Sequence, residues 1–190
     1  AGRVPVVAGA GSNSTREALQ LTKHAKDAGA AASLQVNPYY NKPTQAGLYR
    51  HFMTIADQVD LPIVLYNIPG RSSVALDVDT VVQLAKHPNI VAIKEATGSM
   101  DVASEIACTT DLTILSGDDS LTLPLMAIGA KGVISVASNL MVERVASMTQ
   151  AALDGRWDEA RTQHIELWPI FRAMFLQTNP IPIKTAMAMA

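Results

Sequence analysis

Apolar, largely β-branched residues come in six short runs, Val4–Ala8, Ala32–Val36, Ile63–Tyr66, Ile90–Lys94, Leu112–Leu115 and Gly132–Val136, whose starts lie roughly 20 to 30 residues apart. Runs of this length predict strands, and their apolar character on both faces predicts a parallel sheet covered by helices. Each run is followed by apolar residues at helical spacing. Ser14 and Glu17 match a capping box, after which Ala18, Leu21, Ala25 and Ala28 form a stripe that Gly29 ends. Leu48, Phe52, Ile55 and Val59 stripe a second helix. Asp77 or Asp79 can cap a third, carrying Val81, Val82, Leu84 and Ala85 and stopping before Pro88. Ser99 can cap a fourth with Val102, Ala103, Ile106 and Ala107, and Ser120–Ile128 reads as a short fifth. Val142, Val145, Met148 and Ala152 stripe the next, to Gly155. Trp157–Phe175 reads as a longer helix that Pro169 should kink. No strand separates these last helices, so they read as a C-terminal helical extension.

Six strand-helix units fit either a doubly wound sheet or most of an eight-stranded (β/α)8 barrel. The placement of polar residues favours the barrel. Asn37, Asn67, Lys94 with Glu95, Ser116 to Asp119, and Ser138 with Asn139 all fall at C-terminal ends of the strand runs. A barrel spreads its chemistry around such a ring, whereas a doubly wound sheet concentrates it at one crevice. Residues 1–140 therefore read as a partial (β/α)8 barrel and 141–190 as C-terminal helices. The chain opens as AGRVPVVAG without an initiator Met and closes as KTAMAMA inside a helical pattern, which reads as part of a longer chain.

Charge and composition remove whole classes of function. With 190 residues, a net charge of -2 and 17% charged residues, there is no basic field for nucleic acid. No apolar run reaches the roughly 18 residues of a membrane span, and no signal peptide is evident. Cys108, the single cysteine, excludes an intramolecular disulfide and a CxxC metal site, and its neighbours Ile106 and Ala107 suggest a packed thiol. A reducing, cytoplasmic setting fits best.

Lys94 is the leading candidate for chemistry. By strand alternation it follows Ile90 and Ala92 on one face, with Val91, Ile93 and Glu95 on the other. An inward lysine loses hydration, which favours the free amine that a Schiff-base nucleophile needs. The plain alternative is a lysine that snorkels to solvent or pairs with a carboxylate. Ala8–Thr15, AGAGSNST, is a glycine-containing turn that lacks the full dinucleotide fingerprint and reads as a tight loop. In VNPYYNKPTQAG, Pro38 and Pro43 restrict the backbone around Tyr39 and Tyr40, so one tyrosine can point inward and the other out. LYNIPGRSS puts Tyr66 at a strand end and Arg71, a planar fork for a carboxylate, five residues later. In SGDDS a magnesium site competes with simple N-capping of the following helix by Asp119 or Ser120, and capping is the commoner explanation. The four histidines have no zinc spacing.

Taken in order, NPYYNKPTQAG, LYNIPGRSS, VAIKEATGSM, SGDDS and GVISVASN resemble the pyruvate-dependent aldolase family that contains dihydrodipicolinate synthase and N-acetylneuraminate lyase. The resemblance runs over essentially the whole chain and implies a (β/α)8 barrel with extra C-terminal helices, usually a homotetramer. It makes Lys94 the Schiff-base lysine, Tyr66 the proton donor and acceptor near the imine, and Tyr40 a relay tyrosine lent to a neighbouring subunit. Arg71 would receive the carboxylate of the aldehyde substrate, while Gly117 and Ile134 line the pyruvate pocket, the latter through its backbone. Asn13, Glu17 and Tyr39 match an allosteric lysine site, so for Glu17 the capping and effector readings compete. The family's threonine-bearing GTTGE segment and its first two strand-helix units would precede residue 1, which makes residues 1–140 units three to eight.

The reaction implied is condensation of pyruvate with aspartate semialdehyde toward diaminopimelate and lysine, without metal or organic cofactor. Two other readings stand beside it: a sialic acid or keto-deoxy sugar acid lyase of the same family, and a non-catalytic truncated barrel module.

Overall fold

The computed structural model describes residues 2–190, and five parallel strands organise it. β1 (Val7–Gly9), β2 (Ala32–Val36), β3 (Ile63–Asn67), β4 (Ile90–Glu95) and β5 (Thr113–Ser116) lie side by side in sequence order. Val36 pairs with Tyr66 and Tyr66 with Lys94, so the C-terminal ends of β2, β3 and β4 lie in register. Sequential order without a reversal point is the winding of a (β/α) barrel and not of a doubly wound sheet. Four of the expected strands coincide with observed ones to within a residue at each end. β1 starts three residues later than expected, after Pro5. The sixth run, Gly132–Val136, is corrected: it makes only a single parallel bridge, Ser116 with Val133. Its backbone leaves the ladder because the carboxylate of Asp119 takes the N–H groups of Val136 and Ala137, at 3.1 and 3.0 Å, and the Ser135 hydroxyl.

The chain divides into two compact units, one ending at Ile114 and the other running from Leu115 to Ala190. In the first, α1 (Thr15–Asp27), α2 (Gln45–Gln58), the one-turn α3 (Pro69–Ser72), α4 (Val78–Leu84) and α5 (Met100–Thr109) follow the strands. All four stripe residues of the second helix are buried: Leu48, Phe52, Ile55 and Val59. Each such side chain contributes roughly 1.5–3 kcal/mol of burial. On α1 the expectation is only half met. Ala18 and Ala25 are buried, but Leu21 and Ala28 are exposed and Thr22 takes the inward position. Thr22 sits there because its hydroxyl accepts from the buried Gln35 amide at 2.7 Å and donates to Ala18 O at 2.6 Å. Cys108 is exposed, not packed: two residues past the buried Ile106, it falls on the other side of α5.

In the second unit a 3-10 turn (Asp119–Leu121) leads into α6 (Thr122–Ala127), followed by α7 (Ser138–Leu153), α8 (Trp157–Ala173) and α9 (Ile181–Met189). Its core gathers Val145 and Met148 of α7, Leu167 and Phe171 of α8, Met174 and Ile183. Val142, expected in the stripe, is 62% exposed. The helical assignment of α8 runs unbroken through Pro169, and the non-helical backbone lies instead in α7, at Met141. Asp119 binds the two N–H groups that lead into α7, far along the chain, and does not cap the helix next to it. No helix among the described residues is long and apolar enough to cross a membrane.

One buried histidine makes the first unit acid-sensitive. His51 of α2 is 4% exposed, its Nδ1 lies 2.9 Å from the Thr15 hydroxyl, and its Nε2 has no hydrogen-bond partner among the described residues. Burial pushes its pKa down from 6.5 to about 4. Between those values the unfolded chain binds a proton that the folded chain does not, so stability falls as pH drops from 6.5 toward 4. The expected loss is up to about 3 kcal/mol. Urea unfolding at pH 7 and pH 4.5 measures it, and His51→Gln should flatten that part of the profile; an unchanged slope in this variant would assign the acid sensitivity elsewhere.

Candidate active site

Strand parity builds the site. Val36, Tyr66 and Lys94 form one cross-strand row, and the next residues along, Asn37, Asn67 and Glu95, must point to the opposite face. Lys94 is 8% exposed, and its Nζ lies 4.0 Å from the centre of the Tyr66 ring. The snorkelling alternative does not apply to a side chain this buried.

Beside Tyr66 opens a cavity of about 480 Å³, lined by Gly9, Gly11, Val36, Tyr39, Tyr66, Arg71 and Ser72 among others. Gly11 keeps one wall of it tight against β2: a Cβ there would stand 2.5 Å from the Val36 backbone nitrogen. The AGAGS turn is thus a close backbone approach, as the tight-loop reading expects. Arg71 reaches the cavity from α3, where the backbone turns through Ser73 at φ 61°. The site brings together Lys94 and Tyr66 by stacking, and Tyr66, Tyr39 and Arg71 around one cavity.

The two tyrosines of the proline-framed turn divide as expected. Tyr39 lines the cavity, whereas Tyr40 is 88% exposed with φ 73°, a backbone state that side-chain-bearing residues seldom adopt. Asn41 ties this turn to the loop before α1, donating its side-chain N–H to Asn13 O at 3.0 Å. In that loop the capping box is opened out. Ser14 Oγ accepts the Glu17 N–H, but the Glu17 carboxylate accepts from Ser12 Oγ at 2.8 Å, and Ser12 in turn accepts the Ser14 N–H. A hydroxyl that both donates and accepts has been inserted between the two halves of the box. Gly117 and Ile134 belong to the second unit, where Ser116 N–H donates to Gly132 O and Ile134 N–H to Ser116 O, at 2.8 and 2.9 Å.

The residues of the row that faces away from Lys94 are gathered with it into one ring by the sequence pattern, and their joining into a network is the part sequence reasoning missed. Asn37, Asn67 and Glu95 are buried and joined: Asn37 Nδ2 donates to Asn67 Oδ1 at 3.2 Å, and Asn67 Nδ2 to Glu95 Oε2 at 3.4 Å. Glu95 also accepts the Thr97 N–H at 2.6 Å. Parity was the available signal, since each residue of this row directly follows one of the inward row.

A buried lysine at the C-terminal end of a strand, stacked on a tyrosine beside an arginine-bearing cavity, defines the class: a parallel (β/α) barrel chain with a strand-end amine. The comparisons with known proteins are specific, because the model of the dihydrodipicolinate synthetase family matches residues 1–190, and the chain belongs to that family. It is 56% identical over 189 residues to the 4-hydroxy-tetrahydrodipicolinate synthase of Geotalea daltonii, across 98% of this chain and 65% of that protein. The chain thus spans about two thirds of that relative's length. Among solved structures, the dihydrodipicolinate synthase of Aquifex aeolicus superposes with a TM-score of 0.98 at 54% identity, over 99% of this chain and 65% of that one. The Acinetobacter baumannii enzyme complexed with pyruvate gives 0.96 at 45% identity (99% and 65% covered). The Cyanidioschyzon merolae enzyme with lysine bound gives 0.94 at 45% (97% and 64% covered).

Proposed function

We propose that this chain is the greater part of a 4-hydroxy-tetrahydrodipicolinate synthase, which condenses pyruvate with L-aspartate 4-semialdehyde in lysine and diaminopimelate biosynthesis. The observation that carries the reading is Lys94, buried and inward at the end of β4 with its Nζ over Tyr66. The pyruvate complex of the A. baumannii relative supports the choice of first substrate. Residues 1–140 supply barrel units three to eight and 141–190 part of the C-terminal helices.

Lys94 Nζ attacks the ketone carbon of pyruvate, and loss of water leaves an imine. The imine gives up a methyl proton to become an enamine, whose carbon attacks the aldehyde, and the new oxygen takes a proton. The substrate's own amine then displaces Lys94 by transimination, closing the ring and freeing the lysine. Tyr66 exchanges the protons, Arg71 holds the aldehyde's carboxylate, and Gly117 with the Ile134 backbone lines the pyruvate pocket. The sequence needs no metal or organic cofactor.

Tyr40, exposed and held at positive φ, suits donation to a neighbouring copy's site in a cytoplasmic homotetramer. Asn13, Glu17 and Tyr39 form the lysine effector site of this reading, in keeping with the lysine-bound C. merolae relative.

An aldehyde panel tests the substrate assignment. With pyruvate present, aspartate semialdehyde should be consumed at least about 100-fold more efficiently than N-acetylmannosamine or glyceraldehyde, the margin a carboxylate-pairing site gives. Preference for a sugar aldehyde would move the chain to the sugar-acid lyases of the family.

A further inference from the structure

We infer that Asn67 is a positioning residue for the acceptor aldehyde: its buried amide ties the strand ends that carry Tyr66 and Lys94 to the segment that carries Arg71. The inference rests on the role given to Arg71 under the proposed function.

All four hydrogen-bonding positions of this amide are used. Oδ1 accepts the Leu76 N–H at 3.0 Å and the Asn37 amide at 3.2 Å; Nδ2 donates to Leu76 O at 3.2 Å and to Glu95 Oε2 at 3.4 Å. Two of these bonds pair Asn67 with both backbone groups of one residue, as a neighbouring strand would. A side chain satisfied on every side has one orientation, and no other residue type of this size offers two donors and two acceptors.

What the amide grips is the far end of the Arg71 segment. After β3 the chain makes the single turn of α3, reverses through Ser73 at positive φ, and has no strand partner as far as Leu76. Its near end is fixed by β3. Its far end is fixed by side chains: Asn67 on Leu76, Asn37 on Val74 O at 3.2 Å, and Gln45 on Ala75 O at 2.9 Å and the Asp77 N–H at 3.1 Å. Lys94 by contrast stands on a strand hydrogen-bonded in the sheet. Loosening the grip therefore moves the guanidinium and leaves the amine in place. A fork that pairs with a carboxylate tolerates only small displacements, so the loss falls on acceptor binding.

The test uses Asn67→Leu, which keeps the branched heavy-atom skeleton and removes all four bonds, and Gln45→Ala, which weakens the same grip from a half-buried position and guards against a folding failure at Asn67. KM for aspartate semialdehyde should rise about tenfold or more in Asn67→Leu and about threefold in Gln45→Ala, while borohydride trapping of pyruvate on Lys94 stays within about twofold of wild type. Combined with Arg71→Ala, neither variant should raise KM further. Equal losses in trapping and condensation, unchanged KM in both variants, or additivity with Arg71→Ala would overturn the positioning role. A wild-type chain that traps no pyruvate would instead refute the proposed function itself, a result separate from these.

Discussion

Pyruvate and borohydride together should leave one stable three-carbon adduct on this chain, and peptide mapping should find it on Lys94. Reduction converts the imine to a secondary amine that survives digestion, so the site is read directly and does not depend on turnover. The expectation follows from contrast among the lysines. Lys131 and Lys184 are exposed to solvent. Lys94 is buried at a strand end and lies over the ring of Tyr66, which lines the same cavity as Arg71. Lys94→Ala should abolish labelling and lower condensation on the order of 10³-fold or more, because the covalent route is removed and no neighbouring amine replaces it. Labelling spread over the exposed lysines, with Lys94 clean, would sink the mechanism.

The inward direction of Lys94 was legible in the sequence because strand parity is a local rule. The same rule places Asn67 and Glu95 on the opposite face, yet composition alone groups every polar residue at a strand end into one ring. The two rows serve different ends: one faces the cavity, and the other clamps the loop behind it. Helix faces were less legible. Leu21 and Val142 fit their stripes by spacing, but an apolar stripe does not say whether a given turn meets the core, and Thr22 wins its buried place through a hydrogen bond to Gln35 that no periodicity encodes. The missing sixth ladder has the same origin. Gly132–Val136 has strand composition, but Asp119, more than a dozen residues earlier, captures its backbone N–H groups. Asp119 was expected to cap its neighbour. Pairings of this kind depend on which segments meet in space, and the one-dimensional pattern carries no information about that.

Tyr66→Phe should slow condensation by about 10²- to 10⁴-fold, the usual worth of a positioned proton donor, while the fold stays intact. The substitution is clean because the ring and the hydroxyl do separable things. The ring lies 4.0 Å from Lys94 Nζ, and phenylalanine keeps that face and its packing between Val36 and Lys94 in the cross-strand row. Thermal unfolding should therefore change little, and Lys94 should keep its place. Only the phenol hydroxyl is lost. Imine formation, enamine formation and aldehyde attack each move a proton at or near the Lys94 nitrogen, so one missing donor slows several steps, and the trapped adduct should accumulate more slowly as well. A variant with near-normal turnover would leave Tyr66 a packing residue and place the proton transfers on another group at the cavity. Slow turnover with a lowered unfolding midpoint would instead give the hydroxyl a structural role, since the ring and its packing are retained in phenylalanine.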